Sequence, residues 1–279
     1  MNNIQLVSVC VPVFNCKLFI EKTLQSVLSQ SFSDFQLIIQ DNCSTDGTTE
    51  IVQAFVERAN DPRIVFYLNE APVSLKENWN SIIRRAQGKY VKLLCSDDLI
   101  DSDCLASQVK ILEDPKNTHV ILTCSQRRII DADDAILFQK WNVCNSQGRM
   151  TRGLVLQMCV RHCTNIFGEP CAVLFRTHAF SKTSGFQHQS SYVIDVDFWL
   201  RLLEFGDAYF DNRILCSFRI YKTSGTGAAG LKQVSQTLNF FEEIYLQHSD
   251  SIGRLNFWCG RLIGGILGIL RVILIFFLK

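Results

Sequence analysis

Hydrophobic and polar positions follow two alternating periods along the first half of the chain. Residues 7–13 (VSVCVPV) are apolar almost without a break, as in a strand covered on both faces. Residues 17–30 follow with Ile20, Leu24, Val27 and Leu28 at helical spacing. FQLIIQ (35–40) reads as a second strand, and TTEIVQAFVERA (48–59) as a helix with Ile51, Val52, Phe55 and Val56 on one face. RIVFY (63–67) predicts a strand. LKENWNSIIRRAQ (75–87) predicts a helix that buries Leu75, Trp79, Ile82, Ile83 and Ala86 and is closed by Gly88. YVKLLC (90–95) and HVILTC (119–124) predict two further strands. Strands alternating with helices imply an α/β fold: a mostly parallel sheet with helices on both faces, whose ligands gather at the carboxyl ends of the strands.

Beyond residue 125 the rhythm is lost. Residues 126–190 carry no clear period and are interrupted by Gly148, Gly153, Gly168 and Gly185. A helix over 195–205, a strand over 214–221 and a helix over 231–247 follow. The expected division is an α/β domain over 1–230 and a C-terminal helical region over 231–279. On a helical wheel Arg254, Arg261, Arg271 and Lys279 share an arc of roughly 80°, with Gly260, Gly264 and Gly268 on or beside it. Ile263, Ile266, Leu267, Leu270, Ile273, Leu274 and Phe277 lie opposite. The apolar stretch 262–278 reaches about 26 Å, short of a hydrocarbon core of roughly 30 Å, and Arg271 would sit inside it. Segment 255–279 is therefore expected to lie on a bilayer as an amphipathic helix, its basic face toward anionic headgroups. A helix docked in the protein core is the alternative.

Composition narrows the picture. With 47% hydrophobic and 20% charged residues the 279-residue chain is globular, and a formal net charge of +1 supplies no global field for nucleic acid. Twelve cysteines would permit disulfides. However, Cys10, Cys95, Cys124 and Cys216 lie in strand-like apolar runs, where a thiol behaves as a small hydrophobe. No Lys or Arg precedes the first apolar run, so it does not read as a signal peptide, and a reducing cytoplasm is expected. Cys159, His162 and Cys163, with Cys144 and Cys171 near them in sequence, have C-x-x-H-C spacing rather than the paired C-x-x-C of zinc ribbons. A structural role is expected for them.

Acidic residues recur where ligands should gather. The first strand is followed by Pro12-Val13-Phe14-Asn15, the second by Asp41-Asn42-Cys43-Ser44-Thr45-Asp46-Gly47-Thr48, and the fourth by Ser96-Asp97-Asp98. Asp195-Val196-Asp197 opens a later helix. Taken singly, each is explained by helix capping or a turn. Taken together, they resemble glycosyltransferase family 2, whose catalytic domain has the GT-A fold, from residue 7 to about residue 225. VSVCVPVFN is similar to the family's first strand and P-x-[YF]-N turn. QDNCSTDGTTEIV is similar to its D-x-x-S-x-D-G-[TS] segment. ENWNSIIRRAQGKYVKLLCSDDLIDSDCL resembles its helix, strand and D-x-D region, and SGF-x₈-DVDFWLRLLEFG the segment carrying the base.

That resemblance implies an inverting transferase moving a sugar from a nucleotide-diphosphate donor, with UDP as the nucleotide. The acceptor would be a lipid-linked or glycan hydroxyl of a bacterial surface-polysaccharide or lipopolysaccharide pathway, at the inner face of the cell membrane. Pro12, Phe14, Asn15 and Ser44 would surround the donor, Asp41 would accept the ring N–H of uracil, and Asp97 would contact the ribose. Asp98 would hold Mn²⁺ or Mg²⁺ against the diphosphate, and Arg219 would remain available to the phosphates. Asp195 would be the base that takes the acceptor's proton, while Trp199 and Arg201 would be a packing anchor and a structural charge. The chain departs from the family pattern at Ser96, at Ile194, where the family often has Glu, and at Tyr221, where it often has His. Two other readings are weighed: a non-catalytic sugar-binding relative, and an NAD-dependent oxidoreductase using the G-x-G-x-x-G of Gly225, Gly227 and Gly230.

Overall fold

A computed structural model of the chain describes residues 5–140, 147–222, 224 and 230–276. Ten strands form one sheet: β1 (Val7–Val13), β2 (Phe35–Asp41), β3 (Ile64–Leu68), β4 (Tyr90–Leu93), β5 (Leu99–Ile100), β6 (Val120–Ile130), β7 (Ile136–Phe138), β8 (Gly148–Met150), β9 (Val173–Arg176) and β10 (Asp207–Arg219). The helices are α1 (Ile20–Leu28), α2 (Thr48–Ala59), α3 (Leu75–Arg84), α4 (Cys104–Glu113), α5 (Arg152–His162), α6 (Thr177–Phe180), α7 (Ile194–Leu202), α8 (Lys232–Gln247), α9 (Ser249–Ile252) and α10 (Arg254–Phe276).

Every residue of β1 is buried, because both faces of its strand are covered. Val7, Val9, Val11 and Val13 point to one core, shared with Ile20, Leu24 and Val27 of α1, Val52 and Phe55 of α2, and Leu105 and Val109 of α4. Cys10 points to the other, where α3, α5, α7 and the C-terminal helices contribute Trp79, Ile82, Leu156, Trp199, Phe240 and Phe257. Each fully buried valine of this set is worth roughly 1.5–3 kcal/mol over its exposed state. This covering of both faces is why the run lacks alternation.

The sheet order is β3-β2-β1-β4-β9-β6-β10-β5. The four strands β3 to β4 run parallel, as the alternation predicts. Strand β9 then runs antiparallel to both its neighbours, β4 and β6, before β6 and β10 pair in parallel again. The sheet is therefore mixed, with β5, β7 and β8 also antiparallel to their neighbours, and β9 comes from the segment without a sequence period. Two further details differ from expectation. Leu75 is 44% exposed and lies at the mouth of a cleft instead of in the core. Gly88 does not cap α3, which ends at Arg84; it lies so close to β1 that an added Cβ would fall 2.7 Å from the Ser8 amide nitrogen.

Helix α10 docks on α5 and α8 through its glycines. A Cβ at Gly264 would lie 2.5 Å from Cys163 Sγ, one at Gly268 3.0 Å from the Val234 methyls, and one at Gly260 inside the Val160 carbonyl oxygen. Arg261 pairs with Glu242 of α8, and Arg271 donates to the Tyr192 hydroxyl. The side with Gly260, Gly264, Gly268, Arg261 and Arg271 thus faces the protein, not lipid headgroups. Leu255, Trp258, Leu262, Ile266, Ile269 and Ile273 are left exposed, Leu262 at 67%. Lys279 and Phe277 of the wheel lie outside the described residues.

Candidate active site

The carboxyl ends of β1 and β4, the start of α7 and the loop after α5 converge on one cleft of ≈ 680 Å³. Its lining brings together Pro12, Phe14 and Asn15, then Asp97, then Asp195 with Arg219 and Tyr221, from segments far apart in the chain.

The turn after β1 is held from β2. Asn15 takes a left-handed conformation (φ 46°), and its amide donates to Ser44 Oγ at 2.9 Å. The Thr45 amide donates back to Asn15 Oδ1 at 2.8 Å. The Ser44 hydroxyl in turn donates to Asp41 Oδ1 at 2.6 Å, and the Thr49 hydroxyl donates to Asp41 Oδ2. Asp41 is fully buried, and neither it nor Ser44 lines the cleft. In this arrangement Asp41 braces the turn that presents Phe14 and Asn15 and ties down the start of α2.

The acidic loop after β4 is gripped on both sides. The Thr23 hydroxyl of α1 donates to the Ser96 and Asp98 carbonyls at 2.8 and 2.9 Å. Asp98 Oδ1 accepts the Arg219 amide at 3.0 Å, whereas Oδ2 is buried without a hydrogen-bond partner. Burial, then the neighbouring Asp97 charge, pushes the Asp98 carboxyl well above the usual carboxylate range; burial raises Asp97 as well. Tyr221 donates its hydroxyl to Asp97 Oδ2 at 3.2 Å. Burial and the Asp97 charge raise the phenol, so it keeps the proton it donates.

Arg219 lines the cleft, but its guanidinium is held by the protein. Its side chain is fully buried and packs over the Phe19 ring at 4.5 Å. Nε donates to the Asp97 carbonyl (2.8 Å), Nη1 to the Asp131 carbonyl (2.7 Å), and Nη2 pairs with Asp134 (2.6 Å). It is a clamp beneath the acidic loop, with Nε and Nη1 donating to protein carbonyls and Nη2 in the ion pair.

Asp195 lies in the first turn of α7, where the helix dipole favours its anion. Oδ1 accepts the Val196 amide and Oδ2 accepts the Asn165 side-chain amide, both at 2.8 Å. Burial, then the charge of Glu169, pushes this carboxyl up to about 7. Trp199 is fully buried against Phe175 and Phe186, and Arg201 pairs with Asp197 at 2.7 Å, the packing and structural roles expected of them.

The cleft continues into a second cavity of ≈ 430 Å³ walled by α8 and α10. The two share Arg127, Asn165, Tyr192, Thr237 and Arg271, none of them singled out for this site from sequence. The buried Gln233 side-chain Oε1 in the second cavity has no hydrogen-bond partner among the described residues. Cys159 and Cys163 are buried, the eleven described cysteines are free thiols, and no group of three metal-binding side chains occurs among the described residues. Gly225 and Gly227 lie outside the described residues.

Residues 8–182 match the family model described as glycosyl transferase family 2, more than half of the chain. The chain is similar to chondroitin synthase of Escherichia coli, with 26% identity over 91% of this chain and 34% of the synthase. It spans 62% of the length of another curated relative to which it is 30% identical. Its fold is shared with the mannosyltransferase PcManGT of Pyrobaculum calidifontis, solved in complex with GDP-Man and Mn²⁺ (TM-score 0.66, 17% identity, 98% of this chain and 74% of that one). It is shared also with TarS of Staphylococcus aureus, solved in complex with UDP (TM-score 0.63, 16% identity, 86% and 65%).

Proposed function

This chain belongs to glycosyl transferase family 2, and from that premise we propose that it transfers a sugar from a nucleoside-diphosphate donor, with UDP as the nucleotide, to a hydroxyl of a growing surface glycan or its lipid-linked precursor. One observation carries the reading: Phe14, Asn15, Asp97 and Asp195 line a single cleft although they lie on three separate segments. The UDP complex of TarS supports the donor, and the likeness to chondroitin synthase supports the glycan.

In this reading the donor lies along the turn after β1 and the acidic loop. Phe14, 54% exposed, offers a ring face to the base, and Asp97 an acceptor to the ribose hydroxyls. Asp195 accepts the proton of the acceptor hydroxyl as its oxygen attacks the anomeric carbon. The new bond forms opposite the breaking sugar–phosphate bond, which inverts that carbon, and the nucleoside diphosphate leaves with the bonding electrons. A base raised to about 7 suits neutral pH better than an ordinary carboxylate.

The residues present fit a hard divalent cation. Asp98 Oδ2 is a buried oxygen with no donor, Asp97 stands beside it, and raised carboxyls are what two unneutralised acids in a dry site produce. Asp98 would hold Mn²⁺ or Mg²⁺, which would supply positive charge against the departing diphosphate. The second cavity suits an acceptor with apolar and polar parts, since Leu267, Leu270 and Leu274 there face Arg271 and Gln233. We place the protein at the cytoplasmic face of the membrane, seated through the exposed face of α10, with 1–230 as the catalytic unit and 231–279 as a helical layer folded onto it.

A thermal-shift screen of UDP-, GDP- and TDP-sugars, with and without Mn²⁺, tests the reading. A UDP-sugar should raise the melting temperature only with the metal present, and EDTA should abolish both this shift and donor hydrolysis. Stabilisation by GDP-sugars alone would overturn the choice of UDP, and full hydrolysis in EDTA would remove the metal.

A further inference from the structure

The family's segment often carries a Glu immediately before its base, and here that position is Ile194, 2% exposed and committed to the core. A second carboxylate nevertheless reaches the same cleft from the loop after α5. Glu169 lines the cleft with Asp195, and its charge is felt there more strongly than that of any other group. It is fixed by a two-point pair with Arg127, whose Nη2 donates to Glu169 Oε1 at 3.2 Å and whose Nε meets Oε2.

Asn165 sits on the same loop and is itself fully directed. Its Oδ1 accepts the Phe167 amide (3.0 Å), and its Nδ2 is shared between the Gly168 carbonyl (2.9 Å) and Asp195 Oδ2 (2.8 Å). The loop is tightly bound: Cys163 has φ 47° and Gly168 φ 90°, and a Cβ at Gly168 would lie 3.0 Å from Arg127 Nη1. An amide held at three points cannot follow Asp195 if that side chain rotates. With Oδ1 on the Val196 amide and Oδ2 on Asn165, the Asp195 carboxylate is held in one orientation, and each oxygen keeps a lone pair for an acceptor hydroxyl.

We propose that the 165–169 loop positions the base: Asn165 fixes the rotamer of Asp195, and Glu169, anchored by Arg127, supplies the second carboxylate that the family more often carries at the position of Ile194. This rests on the reading of Asp195 as the base. The charged and titratable groups facing Asp195 are Glu169 and Arg127 from this wall, Tyr192 with its partner Arg271 from the other, and Cys95 from the end of β4. After burial, the Glu169 charge raises Asp195 and the Arg127 charge lowers it. Removing Glu169 should lower the pH at which Asp195 ionises, a second acid at 165 should raise it, and loss of the Asn165 donor should also raise it.

An infrared-detected pH titration of the carboxyl C=O stretch in the full-length protein reads Asp195 without any acceptor, the band being identified by its loss in Asp195→Asn. The wild-type midpoint should lie near 7. Glu169→Gln should move it down, and Asn165→Asp and Asn165→Ala up, with a broadened band in Asn165→Ala as the side chain samples several rotamers. Hydrolysis of UDP-glucose, UDP-galactose or UDP-GlcNAc with Mn²⁺ should fall roughly tenfold or more in Asn165→Ala at unchanged KM. Midpoints and rates at wild-type values in both Glu169→Gln and Asn165→Ala would overturn the proposal; if one of these variants does not fold, Asn165→Asp with the other decides it. Normal hydrolysis by Asp195→Asn would instead remove the base reading itself. Inactive Asp195→Asn with unmoved midpoints in the loop variants would leave the base standing and sink only its positioning.

Discussion

A carboxyl that must ionise inside a dry wall works against the fold that holds it. Asp195 keeps its proton up to about pH 7 in the folded chain and to about 4 in an ordinary solvated one. Its contribution to stability is therefore fully present in acid and is lost as the pH rises from about 4 through about 7. Two outcomes are expected. Asp195→Asn should melt higher than wild type at pH 8, with the gap closing toward pH 4. The same variant should lose roughly 10²–10⁴-fold in donor turnover, and wild-type turnover should fall about tenfold per pH unit below 7. Melting curves at the two pH values and a pH–rate profile check both, and near-normal turnover by Asp195→Asn would end its role as base. At this scale the sequence was a good guide to residue type and a poorer one to posture. Asp97 and Asp195 line the cleft, but Asp41 and Arg219 are bound into protein hydrogen bonds that no linear motif displays. Asn165, Glu169 and Arg127 went unseen because their roles arise only from contacts between loops.

Elements whose burial is one-sided or complete declared themselves. Helix α2 begins and ends where its stripe predicts, and β1 and β2 are the apolar runs. Helix α5 did not, for a physical reason. Its buried Val155, Leu156, Cys159 and Val160 do share one face, but Leu154, 44% exposed, and Met158 are apolar beside it and blur the stripe in the sequence. Strand β9 is four residues long, and its pairing with β4 is non-local. In α10, Gly260, Gly264 and Gly268 with Arg261 and Arg271 meet the protein, whereas Arg254 of the same arc is exposed. Gly264→Leu should therefore lift α10 from Cys163 and cost about 1–3 kcal/mol, whereas Gly265→Leu, with no atom within 4 Å of its Cβ, should cost little. Chemical denaturation of the two variants distinguishes a docked helix from a loosely attached one, for which both would be neutral.

Across the whole molecule the two halves are one body. Phe240, Phe241 and Phe257 of the C-terminal helices share a core with Val91 and Leu93 of the sheet, so the boundary expected at residue 230 divides roles more than it divides packing. Helix α10 is long and apolar enough by composition to cross a membrane, and only 17% of its most apolar stretch is buried. With Arg261 and Arg271 paired to protein groups and only Arg254 of its arginines exposed, adhesion to a bilayer should come mainly from apolar area and respond weakly to salt. Leu262→Glu, Ile266→Glu and Ile269→Glu combined should abolish co-sedimentation with phosphatidylglycerol/phosphatidylethanolamine vesicles while leaving donor hydrolysis intact. Binding that persists in the triple variant, or that vanishes in high salt for wild type, would return the contact to electrostatics.

The insertion of β9 between β4 and β6 also imposes a timetable on synthesis. Strands β1 to β4 can pair as soon as residue 93 has left the ribosome, but the free edge of β4 stays uncovered until residues 173–176 arrive. During that interval the nascent chain presents an unpaired, fully buried-type strand to any other chain, the exposure from which aggregation starts. The loop bearing Asp97 waits longer, since Arg219 and Tyr221, which grip it, are made after most of the sheet. The gripped acidic loop thus appears late, and α10, whose Gly264 and Gly268 wall the second cavity, later still.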